Sequence, residues 1–516
     1  MAARKPNILV IVSDQLSAPI LPAYGHKVVK TPHLDRLAAE GVVFENAYTN
    51  SPLCAPARAT LMSGLLPSRT GAYDNAAEFR SAIPTFAHYL RLEGYRTCLS
   101  GKMHFVGPDQ LHGFEERLTT DIYPADFGWT PDWTRPDERI DWWYHNMTSV
   151  KQAGIAEITN QLEYDDEVAF LAQRRIYDFA RYRDTLPFCL TVSFTHPHDP
   201  YAARARFWNL YRDDEIDGPV TPAVPPGRMD PHSRRLHDMS AMDDYDIGEQ
   251  DVLSSRHGYY ANVSYVDDLV GQLMGTLETC GLAEDTVVVV TSDHGDFLGE
   301  RGLWYKMSYR EPSARVPLIV HAPGRFAPRR VATPAGIADL LPTLVDIARP
   351  GGSAALARPV DGASLLPFLE GAGDAGRAVV GEYLAEGVHA PMYMVRQDRW
   401  KLIACATDPD QLFDLVADPQ ENVNLAAEPA QQARVAALKA HLAGFDAEAI
   451  RDEVISSQRQ RHVVFKALSR GHVFPWDFQP LRLASEQYTR NHRDVTETDV
   501  LSRFPPAPEA VKKPGR

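Results

Sequence analysis

Short apolar runs that end in polar residues dominate the first 320 positions of the chain. Three runs stand out, each followed closely by charged or polar side chains: residues 7–12 before Asp14, 188–194 before 196–199, and 286–291 before 292–296. Continuous apolar runs are typical of strands buried on both faces of a parallel sheet. Ligands of such sheets gather at the carboxyl ends of the strands. We therefore expect Asp14, Asp293 and His294 to lie close together.

The rest of the pattern mixes helices with shorter strands. Further predicted elements are strands at 42–44 and 316–320 and helices at 31–41, 84–93 and 431–442. Past residue 375 the apolar pieces become short and strand-like, which favours a smaller domain packed on the main sheet. The sequence thus predicts an α/β fold: a large mixed, mostly parallel sheet sandwiched by helices, with a smaller C-terminal α+β subdomain and an extended C-terminal tail.

These changes in pattern divide the chain into three expected parts. They are a catalytic domain at 1–374, the α+β subdomain at 375–470 and a tail at 471–516. Within the first part, residues 109–161 lose regular periodicity and gather Trp and Tyr, which is typical of a satellite core or a binding lid. Residues 213–250, rich in Pro, Asp and Gly, predict a surface insertion. Aromatic residues in the loop-like tail predict that it docks on another surface.

The amino-acid composition of the chain excludes several classes of function. The chain has 516 residues, 53 basic and 68 acidic, for a net charge of −15. This balance argues against a nucleic-acid partner bound through its phosphates. No apolar stretch reaches the length of a membrane span, and the first apolar run is too short for a signal peptide. Five widely spaced cysteines without a C-x-x-C pair predict reduced thiols in a cytoplasmic protein.

Residues 54–64 (CAPARATLMSG) place a thiol at the start of a predicted helix, four positions before Arg58. A helix start and a guanidinium both lower the pKa of a thiol, which favours a reactive Cys54. A small buried thiol is the alternative. Lys102 and His104, after a glycine turn, have the chemistry to hold one anion and to carry a proton. An exposed surface charge is the alternative for Lys102.

The strand-end carboxylates and the imidazole suit a divalent cation, and the carbonyl of Gln15 could add a ligand. A strand-end Asp also serves as a helix cap, so a single Asp is a weak signal. Three strands ending in this way strengthen the metal interpretation.

Two longer motifs give a family resemblance. Cys54-x-Pro-x-Arg58 through Gly64, and Gly94-Tyr-x-Thr-x-x-x-Gly-Lys102-x-His104, resemble the two signatures of the sulfatase family, within the alkaline-phosphatase-like superfamily. Residues 197–200, 292–295, Lys306 and 412–422 match other features of that family. The resemblance covers nearly the whole chain.

The resemblance implies a role for each matching position. Cys54 would be oxidised by a formylglycine-generating enzyme to formylglycine, whose hydrate attacks sulfur. Arg58 would fix the hydrate, and Lys102 and Lys306 would bind sulfate oxygens. His198 would protonate the leaving oxygen, and His104 would take a proton during sulfate release. The implied metal ligands are Asp14, Gln15, Asp293, His294 and residue 54. Such fixed cations would stabilise the negative charge of a sulfuryl transition state.

Two positions depart from the commonest pattern of that family. Gln15 replaces an Asp, and His294 replaces an Asn. One carboxylate fewer and one imidazole more make Mn²⁺ credible beside Ca²⁺. The metal is therefore predicted as Ca²⁺ or Mn²⁺.

A narrower resemblance concerns the substrate. Residues 81–90, 107–116, 126–132, 141–146 and the aromatic tail are similar to the choline sulfatases. That family hydrolyses choline-O-sulfate, in the route from choline to glycine betaine, and the resemblance implies a homotetramer, a dimer of dimers, with tails that reach a neighbouring subunit. A quaternary ammonium binds to aromatic faces and carboxylates. Trp129, His145 and Glu386 are the candidate set, and an internal core of the aromatic segment is the alternative for the tryptophans.

Three other functions remain open from the sequence. One is a phosphonate monoester or phosphodiester hydrolase of the same superfamily, which the metal residues also fit. A second is a sulfatase for another small alkyl or aryl sulfate ester. A third is a binding protein that keeps the pocket and retains an intact Cys54 thiol.

Overall fold

The buried apolar runs form neighbouring strands of one large sheet, as predicted. The computed structural model describes residues 5–141, 143–181, 186–349, 356–373 and 376–469. The first eight strands are β1 (Asn7–Asp14), β2 (Val42–Phe44), β3 (Ala47–Tyr48), β4 (Arg96–Gly101), β5 (Glu116–Arg117), β6 (Gly154–Ile155), β7 (Phe188–Pro197) and β8 (Ala202–Ala203). The others are β9 (Thr286–Ser292), β10 (Leu318–His321), β11 (Arg329–Val331), β12 (Ala335–Gly336), β13 (Ala378–Tyr383), β14 (Met392–Gln397), β15 (Trp400–Cys405) and β16 (Asp408–Asp414).

Helices connect these strands along the described parts of the chain. They are α1 (Pro32–Glu40), α2 (Cys54–Ser63), α3 (Pro67–Thr70), α4 (Phe86–Leu92), α5 (Thr148–Lys151), α6 (Asn160–Arg181), α7 (Ala205–Trp208), α8 (Pro231–Met239), α9 (Glu249–Thr279), α10 (Glu311–Ala314), α11 (Leu340–Ala348), α12 (Leu366–Leu369), α13 (Gln432–Lys439) and α14 (Ala447–Ser469).

The main sheet has the order β11-β2-β10-β9-β1-β7-β4-β5. Strand β1 lies between β9 and β7 and is parallel to both, and β4 continues the parallel set beside β7. Strand β10 is antiparallel to β9 and to β2. The sheet is therefore mixed and mostly parallel, and the carboxyl ends of β9, β1, β7 and β4 meet at one edge.

Alternate residues of β1 pack into two separate cores, which explains its continuous apolar sequence. Leu9 and Ile11 face a core that includes apolar residues of α6 and α9. Ile8, Val10 and Val12 face a core that includes apolar residues of α2, α4 and α11. Full burial of each such side chain stabilises the fold by roughly 1.5–3 kcal/mol. Helices thus cover both faces of the sheet.

The smaller antiparallel sheet has the order β13-β14-β15-β16. Val395, Leu402 and Leu412 pack against Val435 and Leu438 of α13. This arrangement confirms the predicted α+β part that follows the main sheet.

The predicted part boundaries are only partly covered by the described residues. The boundary at residue 374 and the tail at 471–516 lie outside them, so both stay predictions. The described residues belong to one compact unit spanning Met1–Trp476. Among the described helices, none has the length and hydropathy required to cross a membrane.

The surface insertion predicted at 213–250 is only partly correct. Helix α8 lies within it and buries several side chains, including His232 and Leu236. The two ring nitrogens of His232 lie 3.0 and 2.8 Å from the carbonyl oxygens of Gly387 and Met307. These contacts tie the segment to two distant loops, which a polar composition does not reveal.

Candidate active site

The carboxyl edge of the main sheet brings together the residues predicted from the strand ends. Asp14 ends β1, while Asp293 and His294 directly follow β9. Potential ligand atoms of Asp14, Cys54, Asp293 and His294 all lie within 4.8 Å of one another. All four side chains are buried. The expected gathering of strand-end side chains is present, and it includes the cysteine.

Cys54 is the first residue of α2, as its sequence context predicts. Its Sγ lies 3.2 Å from His294 Nε2 and 4.0 Å from Asp14 Oδ1. Burial raises the pKa of the thiol, but Lys102, Lys306, His294 and His104 together outweigh burial and hold that pKa well below its usual value. An inert thiol in an apolar core would show the opposite shift.

Arg58, one helical turn after Cys54, is fully buried. Its Nε donates to Asp293 Oδ2 at 2.8 Å, and its Nη2 donates to Asp14 Oδ2 at 3.2 Å. Its Nη1 donates to the Lys102 carbonyl oxygen at 2.6 Å and to Ser193 Oγ at 2.8 Å. The guanidinium therefore links the ends of β1, β4, β7 and the segment after β9.

Lys102 follows Gly101, the last residue of β4. Gly101 has a φ of 111°, and a Cβ there would lie 2.0 Å from the Ser193 carbonyl oxygen, so only glycine fits. This turn directs the Lys102 ammonium to the carboxylate of Asp14, with which it forms a buried ion pair. The ammonium also lies 4.0 Å from the ring centroid of Tyr123. Lys102 is therefore not an exposed surface charge.

His104 lies beside the Cys54 thiol, near enough to lower its pKa. The ring packs edge-on against Trp129, with centroids 5.8 Å apart. Neither ring nitrogen meets the geometry of a hydrogen bond with a described residue. Both ring nitrogens are therefore available for a hydrogen bond to a bound group.

Lys306 and His198 form a hydrogen-bonded pair that lines the same cavity as the cysteine. Lys306 Nζ lies 2.6 Å from His198 Nε2 and donates to Gln15 Oε1 at 2.7 Å. His198 Nδ1 lies 2.7 Å from the Asp199 carbonyl oxygen, which assigns the Nδ1 proton. Gln15 Nε2 donates to Asp296 Oδ2 at 2.6 Å. The Gln15 carbonyl thus already accepts a hydrogen bond from Lys306.

The donor set at the sheet edge fits a divalent cation. His294 Nδ1 lies 3.1 Å from the Gly295 carbonyl oxygen and donates to it, so Nε2 is the ring nitrogen that faces the cluster. Nε2 lies 3.8 Å from Asp14 Oδ1 and 3.7 Å from Asp293 Oδ2. Two carboxylates and an imidazole whose orientation is fixed by its Nδ1 hydrogen bond are suitable ligands for such an ion.

A cavity of about 380 Å³ leads away from this cluster. It is lined by Cys54, Asn75, Tyr123, Trp129, Trp143, Tyr144, His145, Asn146, Thr148, Ser149, Gln161, His198, Asp199, Pro200, Lys306 and Glu386. Three sequence candidates from distant segments, Trp129, His145 and Glu386, therefore share one cavity with Cys54 and Lys306.

One side of the cavity, which we call the aromatic wall, is formed by Trp129, Trp143, Tyr144 and Glu386. The rings of Trp129 and Trp143 are stacked, 6.2 Å apart and inclined by 11°, and Tyr144 packs edge-on against Trp143 at 4.3 Å. Burial raises the pKa of the Glu386 carboxyl to about 7, and its Oε2 has no hydrogen-bond partner among the described residues. Glu386 lines the cavity, and a buried carboxyl oxygen without a partner is unusual in a purely structural core.

Several cavity residues were not singled out from the sequence. Tyr123, Trp143 and Tyr144 belong to the aromatic segment, whose composition was the available signal. Asn75 carried no signal; its Oδ1 accepts from the Ala55 amide at 2.9 Å and so supports the start of α2. Asp199 was noted among the polar residues that follow a predicted strand and within a family motif, but it was given no role of its own.

The eight-stranded mixed sheet and the buried charged cluster at its edge define a hydrolase of the alkaline-phosphatase-like fold. The chain belongs to the sulfatase family, because the family model described as Sulfatase matches residues 6–350. It is a sulfuric ester hydrolase. Two further models match: "N-sulphoglucosamine sulphohydrolase, C-terminal" at 299–448 and "Choline sulfatase enzyme C terminal" at 452–504.

Relatives agree with this assignment. The chain is 52% identical to the choline-sulfatase of Rhizobium meliloti (strain 1021) over 513 residues, which cover 98% of this chain and 99% of the relative. It is 32% identical over 345 residues to iduronate 2-sulfatase of Mus musculus, covering 62% and 60% of the two chains.

Solved structures support the fold alone. The phosphonate monoester hydrolase of Agrobacterium radiobacter aligns with a TM-score of 0.67 at 24% identity, over 87% of this chain and 96% of that chain. The phosphonate monoester hydrolase from Silicibacter pomeroyi aligns with a TM-score of 0.68 at 23% identity, over 85% and 94%.

Proposed function

We propose that the chain hydrolyses choline-O-sulfate to choline and inorganic sulfate. The observation that carries the proposal is the single cavity that joins Cys54 and Lys306 to the aromatic wall. In this reaction the S–O bond to the choline oxygen breaks, that oxygen takes a proton, and water supplies the fourth oxygen of sulfate. Similarity to a choline-sulfatase along almost the whole chain supports the same substrate.

Residue 54 provides the nucleophile in this proposal. Once Cys54 is oxidised to formylglycine, the residue supplies a hydrated aldehyde whose oxygen attacks sulfur and whose second hydroxyl allows sulfate to leave. A formylglycine-generating enzyme would carry out this oxidation. The helix start and the two lysine ammonium groups favour an anionic oxygen at this position.

Asp14, Asp293, His294 and residue 54 would hold the metal. A bound divalent cation supplies Lewis-acid stabilisation of negative charge on oxygen. Arg58 keeps the two carboxylates in place from behind, in addition to its proposed contact with residue 54. Gln15 stays a proposed ligand, although its Oε1 accepts from Lys306. The imidazole favours Mn²⁺, and the carboxylates suit either Mn²⁺ or Ca²⁺.

We use the name sulfate end for Cys54, His198 and Lys306, which line the cavity, together with Lys102 and His104, which lie beside Cys54. The ammonium groups of Lys102 and Lys306 would bind sulfate oxygens as their negative charge grows. His104, whose ring nitrogens are unpaired among the described residues, would take the proton that accompanies sulfate release.

His198 would protonate the leaving choline oxygen from Nε2. Its Nδ1 lies 3.2 Å from Asp199 Oδ1 and 2.7 Å from the Asp199 carbonyl oxygen, and these two contacts fix the orientation of the ring. Asp199 in turn accepts from Ser149 Oγ at 2.8 Å. Asp199 is thus a proposed positioning residue for the leaving-group acid.

The aromatic wall suits the trimethylammonium group. The stacked faces of Trp129 and Trp143 attract a cation through their negative π surfaces, and the Glu386 carboxylate adds a full charge. Burial and the nearby charge of Lys306 lower the pKa of His145 to about 3, so its ring is neutral and does not repel the cation.

Steady-state kinetics test the proposal against its alternatives. We expect choline-O-sulfate to have a higher kcat/KM than 4-nitrophenyl sulfate and the choline ester of methylphosphonic acid. Faster turnover of the phosphonate would contradict the proposal. The mass of the Cys54 peptide should be about 18 Da below that of the unmodified sequence. An unmodified mass in active protein would contradict the proposed nucleophile.

We further propose a cytoplasmic homotetramer, a dimer of dimers, whose choline product enters glycine betaine synthesis. The similarity to the choline-sulfatase chain supports this context. All five cysteines are unpaired, which agrees with a reducing compartment. The proposed parts are a catalytic domain at 1–374 with its 109–161 insertion, a subdomain at 375–470 and an oligomerisation tail at 471–516.

A further inference from the structure

Helix α14 carries a buried arginine, Arg461, which faces an equally buried carboxylate. Its Nη1 and Nη2 donate to the two oxygens of Asp74 at 2.7 and 2.8 Å. Nη1 also donates to Thr130 Oγ1 at 3.1 Å. A guanidinium fork bound to both carboxylate oxygens fixes distance and angle together. Arg461 therefore holds two loops, far apart in sequence, in one relative position.

Both loops carry residues of the cavity. Asp74 precedes Asn75, and Thr130 follows Trp129 of the aromatic wall. The next residue of α14, His462, has its Nε2 3.2 Å from the Thr130 carbonyl oxygen. Helix α14 thus binds both the side chain and the carbonyl oxygen of Thr130, the residue after Trp129.

The same helix also reaches the loop that carries Glu386. Gln458 Oε1 accepts from the Trp133 amide at 2.8 Å. Trp133 Nε1 in turn donates to the carbonyl oxygen of Ala385 at 2.8 Å. Helix α14 therefore binds Asp74 and Thr130 directly and Ala385 through Trp133. Each of these residues is the sequence neighbour of a cavity residue: Asn75, Trp129 and Glu386.

These contacts of α14 stabilise the loops of the cavity that have no direct support from the main sheet. Cys54, Lys102 and the metal residues stand on strand ends and on α2, where the sheet and Arg58 fix them. Trp129 and Glu386 stand on loops, and loops keep a defined geometry only when other elements brace them. Arg461 supplies a buried ion pair to that brace.

We propose that Arg461 is a positioning residue for the aromatic wall, and that its ion pair with Asp74 sets the affinity for quaternary ammonium substrates without taking part in sulfate chemistry. This inference rests on the proposed function, since it concerns the group that the wall recognises. A displacement of about 1 Å at a binding group can change rates and affinities by up to about a hundredfold.

The test compares two sulfate esters in the full-length, converted enzyme. Choline-O-sulfate reaches the aromatic wall, whereas ethyl sulfate lacks the ammonium group. We expect Arg461→Lys, which keeps the charge and loses the fork, to raise KM for choline-O-sulfate about tenfold with little change in kcat. Arg461→Met should have a larger effect, and both should leave kcat/KM for ethyl sulfate within about twofold. The exposed Arg459 of the same helix gives the control Arg459→Met, for which neither ester should change.

Removal of Arg461 leaves the Asp74 charge buried and unpaired, so Arg461→Met could fail to fold. Arg461→Lys and Thr130→Val then carry the test, with calorimetric binding of choline as a second readout. Equal losses for both esters, or unchanged choline affinity in folded variants, would overturn the inference. If instead the unmodified enzyme showed no preference for choline-O-sulfate over 3,3-dimethylbutyl sulfate, the proposed function would fail before the variants were compared.

Discussion

Glu386→Gln is the most direct test of cation recognition. Glutamine keeps the shape of the side chain and removes the charge. At an effective dielectric constant of about 20, a carboxylate roughly 5 Å from a quaternary nitrogen attracts it by about 3 kcal/mol. The neighbouring rings keep their own contribution, because Trp129 and Trp143 are unchanged. We therefore expect KM for choline-O-sulfate to rise roughly a hundredfold.

The same carboxyl predicts a pH dependence with a definite sign. Burial raises its pKa to about 7, so the group is mostly protonated at pH 6 and mostly ionised at pH 8. Binding a cation at pH 6 must first ionise the carboxyl, which costs about 1.4 kcal/mol for one pH unit. We expect KM for choline-O-sulfate to fall about tenfold from pH 6 to pH 8 in the unmodified enzyme.

The matched substrate is 3,3-dimethylbutyl sulfate, which has carbon in place of the quaternary nitrogen. Its KM should not share the pH dependence due to Glu386, and it should change little in Glu386→Gln. The measurement is KM for both esters at pH 6, 7 and 8, in both proteins. An equal increase for the charged and the neutral ester in Glu386→Gln would refute charge recognition by this residue. So would an unchanged pH slope in the variant.

Three further perturbations test other parts of the molecule. Cys54→Ala should abolish sulfate release and leave the far-ultraviolet circular dichroism unchanged; residual turnover would contradict the proposed nucleophile. Chelation with EDTA should abolish turnover and lower Tm, and Mn²⁺ or Ca²⁺ should restore both; full activity without metal would contradict the metal site. Burial raises the pKa of Glu382 to about 7, so the unmodified protein loses stability as pH rises through 7 and this carboxyl ionises. Glutamine cannot ionise, so the free energy of urea unfolding of Glu382→Gln, relative to that of the unmodified protein, should be about 3 kcal/mol more favourable at pH 8 than at pH 4. The same relative stability at both pH values would contradict this.

The part of the fold that the sequence predicts well is the centre of the main sheet. Strands β1, β7 and β9 are continuous apolar runs because each is covered on both faces, and such runs are visible without a structure. Their neighbouring positions follow from parallel topology, so the approach of Asp14 to Asp293 and His294 could be predicted as well. The family signatures added Cys54 to that cluster.

Strand β4 shows why other elements are not visible from hydropathy. Its sequence RTCLSG has no apolar run, although it is mostly buried. Its polar groups are satisfied by neighbours: Ser100 Oγ donates to the Val168 carbonyl oxygen at 2.9 Å, and Thr97 Oγ1 donates to that of Gly113 at 3.2 Å. A composition pattern cannot show partners that the fold supplies.

Helix α9 was missed for a related reason. It is buried on several sides and carries Arg256, Tyr259 and Asp267 in its buried positions. A helix surrounded by protein has no polar face, so it lacks the amphipathic period that identifies surface helices. Contacts such as Asp74 with Arg461, 387 positions apart, have no local signature at all.

The two ends of the cavity are built from different kinds of structure, and this difference has a consequence for function. The groups proposed to act on sulfate stand at the start of α2 and directly after β4 and β7, where adjacent strands and Arg58 restrict movement, and Lys306 joins them from the segment after β9. Groups of the aromatic wall stand on loops braced by α14. Changes in these loops or in their brace should therefore alter KM and substrate preference, whereas changes at the strand ends should alter kcat for every sulfate ester.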